Sequence, residues 1–195
     1  MKTTKIVLKS CNPSEYPDLE LECKELENEE IGAYLATIPE SKKTWGYKSA
    51  PVAARKGEEG EVIHTVLTTE YEGRKYVLSE ETGTVKVRDG HPDVVVKNIS
   101  STSNEEYIVK AAKFASTYTE EGELYAPVPE PRLLTEVPET VVITTSWGAK
   151  AVCLKGSYIV TYDAATNDYN TLERGAKEST YTTCEPVVAK TLQKK

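Results

Sequence analysis

Phenylalanine occurs once, methionine only at residue 1 and histidine twice, and no apolar run approaches the ~20 residues that a membrane-spanning helix needs. With His64 and His91 as the only imidazoles, one in a β-branched run and the other before Pro92, no Ser-His-Asp or Cys-His arrangement can be assembled from the sequence. Cys11, Cys23, Cys153 and Cys184 are dispersed, without the close ligand pairs of zinc sites. The opening stretch MKTTKIVLKSCNPSEY has no apolar segment of secretory length, so the expected location is intracellular, in the cytoplasm, with the four cysteines as free thiols. Basic residues are also short: a formal charge of −7 excludes a duplex-binding surface, which requires clustered Lys and Arg. The deficit is local. Residues 11–30 carry eight acids against Lys24 alone, a pattern expected of a solvated face or mobile arm and, failing that, of a docking site for a basic partner.

What the chain does have is twelve tyrosines and abundant threonine and valine, residues that suit pleated, half-buried surfaces. The phrase Ser-Thr-Tyr-Thr occurs twice, at 116–119 and 179–182. Aligning outward from it places HTVLTTEYEGRKYVLS (64–79) beside TVVITTSWGAKAVCLK (140–155), PDVVVKN (92–98) beside GSYIVTY (156–162), and EEYIVKAAKFASTYT (105–119) beside NDYNTLERGAKESTYT (167–182). Matched blocks in one order point to duplication of a small folding unit. Each copy reads as a hairpin turning at Gly73 or Gly148, a short strand, a polar turn at 100–104 or 164–168, a returning strand and a helix of at most two turns. SEETGTVKVRDGH is expected to add a hairpin to copy one, with Glu-Thr-Gly as its turn.

The predicted fold class is therefore α+β and β-rich, with two related small antiparallel β modules, each carrying a short helix, at 61–122 and 139–188. An N-terminal extension with its acidic segment occupies 1–60, a stiff proline-rich linker 123–138, and a frayed tail 189–195. Within the extension, Lys5–Leu8 and the alternating Leu19, Leu21 and Cys23 read as strands, and Leu26, Ile31, Tyr34 and Leu35 as a helix face.

The residues Pro92, Asp93, Val95, Val96, Tyr107, Ile108, Phe114 and Tyr118 of copy one, with Gly156, Tyr158, Ile159, Val160, Tyr169 and Tyr181 of copy two, resemble the PGDYG-like module of tailed-phage and bacterial proteins, written Pro-Gly-Asp-Tyr-Ile-Val, a turn, Glu-x-Tyr-x-Ile and Phe-x-x-x-Tyr. Copy one lacks the Gly and first Tyr of that pattern; copy two has Ser157 for the Asp and Lys177 where Phe114 stands. The resemblance covers about half of the chain. It implies a fold and a phage context, not an activity.

For chemistry, the stretch DAATNDY lacks the alternating ligands and terminal Glu of a calcium loop, and Lys56–Gly60 lacks the ending of a phosphate cradle. No enzyme, cofactor or metal is expected. The remaining candidates are aromatic and basic: Trp45 with Lys48 in WGYK, Trp147 with Lys150 in WGAK, and Tyr158, Tyr118 and Tyr181. Such groups can hold a base and its phosphate, and they can equally be core plugs and packing anchors. The expected function is a non-enzymatic interaction protein acting on a host or phage protein. The alternatives are a sponge for a small nucleotide signal in anti-defence, and a minor virion structural protein. A homo-oligomer is compatible with each.

Overall fold

The computed structural model describes residues 1–100, 104–186 and 190. The chain begins with strands β1 (Lys2–Leu8) and β2 (Leu19–Leu26), helix α1 (Asn28–Ala36), a 3-10 turn at Glu40–Lys42, and strands β3 (Lys43–Lys48) and β4 (Val52–Lys56). It continues as β5 (Val62–Tyr71), β6 (Arg74–Thr84), β7 (Val87–Arg88), β8 (His91–Pro92), β9 (Val94–Asn98), β10 (Glu106–Val109), α2 (Ala111–Thr117), β11 (Tyr118–Glu121) and β12 (Leu124–Pro127). The last third is β13 (Arg132–Glu136), β14 (Val141–Thr144), β15 (Lys150–Cys153), β16 (Tyr158–Asp163), β17 (Asp168–Leu172), α3 (Arg174–Thr180) and β18 (Tyr181–Cys184). The protein is thus β-rich α+β, with three short helices among the described residues. No helix among them is long and apolar enough to cross a membrane. The expected frayed tail at 189–195 lies outside the described residues apart from Lys190, as does part of the expected turn at 100–104.

Two five-stranded sheets have the orders β10-β9-β4-β12-β11 and β17-β16-β13-β3-β18, and a four-stranded sheet has the order β1-β2-β14-β15. β3 leaves the sheet of its neighbour β4 and inserts between β13 and β18, while β12 inserts between β4 and β11. This overturns the expected stiff linker. Residues 124–127 and 132–136 are inner strands of two different sheets, and only the Pro-rich turn between them is irregular. Pro127 is tolerated because it closes β12, paired with Tyr118. Nor does residue 60 mark a boundary between sheets, since β2 pairs in parallel with β14 and both β3 and β4 are built into the five-stranded sheets.

The acidic stretch is folded rather than mobile. Glu27 and Glu30 form a capping box at the start of α1, and Glu30 also takes the N-terminal ammonium at 2.7 Å. Glu25 is buried on β2 and is paired with Lys150 of β15 and, at 3.3 Å, with Lys2. From there α1 lays Ile31 and Leu35 on Val141, Ile143, Ile159 and Tyr169, which form the largest core. The other face of the N-terminal sheet packs Leu8 and Leu154 on Tyr76 of β6.

Two further expectations change. Glu-Thr-Gly at 81–83 is not a turn but the end of the long strand β6, and the added hairpin is β7–β8 around Asp89 and Gly90, both with positive φ. The block matches also slip by one residue: Tyr107 opposes Val96, whereas Val160 is opposed by Asn170 and Tyr169 faces Thr161. Tyr107 and Tyr169 therefore occupy different register positions, while Tyr118 and Tyr181 each open a strand directly after a seven-residue helix.

Gly57 is needed for close approach: a Cβ there would lie 2.7 Å from both γ carbons of buried Val85 and 3.1 Å from the Asp93 carbonyl oxygen. Gly57→Ala should cost about 1–3 kcal/mol, the range for overpacking, read as a lowered urea midpoint with an unchanged slope. Glu25 is held below the usual carboxylate range, first by the hydrogen bond from Lys150 and then by Lys2. Its folded pKa lies below its unfolded one, so the stabilisation is present above the ordinary carboxylate pKa and is lost as pH falls through the depressed value. Acid unfolding of Glu25→Gln, followed by circular dichroism, should show a shallower loss of stability over that window.

Candidate functional site

An open cleft of about 840 Å³ lies between the β5–β6 hairpin and the ends of both five-stranded sheets. Its walls include His64, Val66 and Thr68 of β5, Lys97 and Asn98 of β9, and Glu105 and Glu106. Lys48 and Tyr181 come from the sheet that contains β3, Thr180 ends α3, and Glu173 precedes it. The strand exchange is what brings Lys48 here. At the end of β3 it lies opposite Tyr181, and its ammonium donates to Asn98 Oδ1 at 3.3 Å, Tyr107 Oη at 3.0 Å and Tyr118 Oη at 3.2 Å. The ammonium also stands 5.5 Å and 5.7 Å from the centres of the Tyr107 and Tyr118 rings. Three donors thus meet three neutral oxygens, and the positive charge joins two sheets without a carboxylate in direct contact.

The phenols touch each other, Tyr107 Oη to Tyr118 Oη at 3.1 Å. Burial pushes the Tyr107 hydroxyl well above the ordinary tyrosine value, reinforced by Tyr118 and Glu105, and Tyr181 is raised by burial as well. Of the acids at the cleft, Glu105 accepts from the Asn98 amide at 2.6 Å, and Glu173 caps α3 through the Ala176 N–H at 2.8 Å while accepting from Thr69 at 3.0 Å. Lys75 and Lys97 are exposed and form no ion pair with any described residue.

Of the seven candidates from the sequence, Lys48, Tyr118 and Tyr181 come together and the other four do not. Trp45 sits three residues before Lys48 on the same strand, so the two side chains leave opposite faces of the sheet. Trp147 is 62 % exposed at the β14–β15 turn, and Lys150 is committed to Glu25. Tyr158 lies under Lys177, whose ammonium is 5.4 Å from the ring centre. The repeated Trp-Gly-x-Lys phrase has no common geometry: Gly46 is inside a strand, where a Cβ would lie 3.1 Å from the Thr182 carbonyl oxygen, whereas Gly148 is in a turn with φ +83°. Tyr107, Asn98, Lys97, His64 and Val66 were not among the sequence candidates. For Tyr107 the Glu-x-Tyr alternation was a usable signal; the others are joined only by long-range pairing.

Burial raises the Cys153 and Cys23 thiols, which disfavours their thiolates, and His64 Nδ1 is 3.1 Å from the Thr82 hydroxyl. Among the described residues no group of three or more His, Cys, Asp or Glu is placed to hold a metal. Comparison with family models, curated proteins and solved structures gave no match.

Because the Tyr107 pKa is raised in the folded state, its contribution is complete below the unfolded tyrosine pKa of about 10 and is lost as pH rises past it. Chemical denaturation across the alkaline range should therefore show stability falling with pH in the native sequence, and a flatter dependence in Tyr107→Phe.

Proposed function

We propose that this chain is a non-enzymatic interaction protein made of two related, strand-exchanged modules, and that its cleft holds a segment of a partner protein. The duplication reading is supported by hydrogen bonds that recur in both sheets. Gly57 N–H donates to Asp93 O at 2.9 Å as Val137 N–H donates to Ser157 O at 2.9 Å, and Asp93 N–H donates to Lys86 O at 2.9 Å as Ser157 N–H donates to Leu154 O at 2.8 Å. On this frame Val62 corresponds to Val142, since they oppose Thr84 and Val152, and not Thr68 to Thr144 as the sequence blocks imply. The likeness of Pro92, Asp93, Tyr107, Phe114 and Tyr118 to the phage module supports an accessory role in a phage setting, with a host or phage protein as partner.

The observation that carries the binding reading is the character of the cleft. It is open, lined by charges of both signs, amides and hydroxyls, and includes the exposed Val66 in its wall. Small-molecule sites are enclosed and predominantly apolar. An open polar trough beside a strand suits a polypeptide, which brings its own amides and alternating side chains.

Native mass spectrometry of the protein taken from its own cells should find a retained polypeptide. Val66→Glu should release it without lowering the thermal midpoint. A retained small ligand, or stabilisation of about 2.7 kcal/mol by a nucleotide at a hundred times its dissociation constant, would replace this reading with the nucleotide sponge.

A further inference from the structure

We infer that the outer edge of β5 accepts an extended, acidic, alternately apolar segment of the partner as an added parallel strand. This rests on the two-module reading and on the cleft as the partner's seat. The chain itself fills the corresponding place in its second module. There β2 pairs in parallel with β14, Val141 to Lys24, Val142 to Glu25 and Ile143 to Leu26. Directly after it, Asn28 donates to the carbonyl oxygens of Thr144 at 3.1 Å and Asn167 at 2.9 Å. In the frame set by the recurring hydrogen bonds, Val141–Ile143 correspond to Glu61–Ile63, Thr144 to His64 and Asn167 to Asn104. His64 and Asn104 both line the cleft.

In the first module no described strand pairs with that edge, although β10 touches β5 where the Thr65 hydroxyl donates to the Glu106 carbonyl oxygen at 2.7 Å. β5 pairs with β6 alone. The far side of β6 is already taken, by the Ser10–Tyr76 bridge and by Val77 N–H donating to Lys9 O at 2.9 Å, so β5 offers the free ladder. Val85 N–H donates to Glu61 O at 2.8 Å, and antiparallel alternation then turns the main-chain groups of Val62, His64 and Val66 away from β6. Val62 and Val66 are 51 % and 41 % exposed. An open row of donors and acceptors flanked by bare valines is a template for another strand.

Charge and core shape the occupant. β2, which fills the second site, reads LELECKEL, apolar at every other position with acids between. At the first site Lys75 and Lys97 stand exposed without an ion pair among the described residues, while of the three carboxylates on its walls Glu105 and Glu173 are committed to internal hydrogen bonds and Glu106 is half-buried. In the second module α1 follows the strand and covers the core, but in the first Ile108 already closes Ile63, Val85 and Val95. The occupant therefore need supply a strand and no helix.

A synthetic peptide of residues 19–27 with Cys23 replaced by Ser serves as the probe, titrated into the isotope-labelled full chain and followed by amide chemical shifts and exchange. The amides of Val62, His64 and Val66 should shift and gain protection, and a peptide of the same composition in scrambled order should produce neither change. Val62→Pro, or Val66→Pro should the first lower the thermal midpoint, removes one outward N–H and should weaken binding about tenfold, the worth of one net hydrogen bond. Lys97→Glu should also weaken it. No change at those amides with millimolar peptide overturns strand addition. Binding that is sensitive to Lys97→Glu and indifferent to both prolines also overturns it, but leaves the cleft standing as a docking site.

Discussion

β3 lies between β13 and β18 while its neighbour β4 is an inner strand of the other five-stranded sheet, and β12 and β13 are divided between the same two sheets, so consecutive strands tie the sheets together. A sheet with an inner strand removed is left with two unpaired ladders, and here every main-chain donor and acceptor on those ladders would need a new partner. The halves are therefore interdependent. The same pairing explains the cleft, because the end of β3 carries Lys48 to Asn98, Tyr107 and Tyr118, residues distant in sequence that belong to the opposite sheet.

Local pattern was enough for most elements and insufficient for their partners. Alternation in Leu19, Leu21 and Cys23 and the helical spacing of Ile31 and Leu35 correspond to β2 and α1, because side-chain period reports local geometry directly. Pro127, Pro129 and Pro131 read as a linker because proline depresses strand propensity, yet only four residues, 128–131, separate β12 from β13. The choice of sheet is non-local and leaves no mark in spacing. Thr68-Thr69 and Thr144-Thr145 misled the alignment for a related reason: the first hairpin is longer, so equal phrases near the turn sit at unequal distances from the start of the strand. Of the candidate site, Lys48, Tyr118 and Tyr181 were legible as a lysine and two tyrosines in repeated phrases, while Trp45 was excluded by a strand's two-residue period, which cannot put positions 45 and 48 on one face.

The N-terminal strands make the two halves unequal. They cover the edge of β14, bury Glu25 between Lys150 and Lys2, and seat α1 on the larger core. Of the eight acids at 11–30, Glu25, Glu27 and Glu30 are thus committed to a pair of lysines, a helix cap and an ammonium, while Glu15, Asp18, Glu20, Glu22 and Glu29 form a solvated face. The first hairpin received no such cover and instead closes its small core with Ile108.

The position of β3 in the second half of the molecule also sets a timetable for its making. Residues 43–48 leave the ribosome early, but the strand on their far side, β18, is not complete until residue 184. Throughout synthesis Trp45 and Tyr47 must wait on an unfinished sheet, with pairing edges bare and loop closure over most of the chain still to come. A nascent chain with this topology can complete the sheet of β4, β9, β10, β11 and β12 by residue 127 but not the sheet around β3 before its last strand emerges, and it is during that interval that a chaperone would have most to hold.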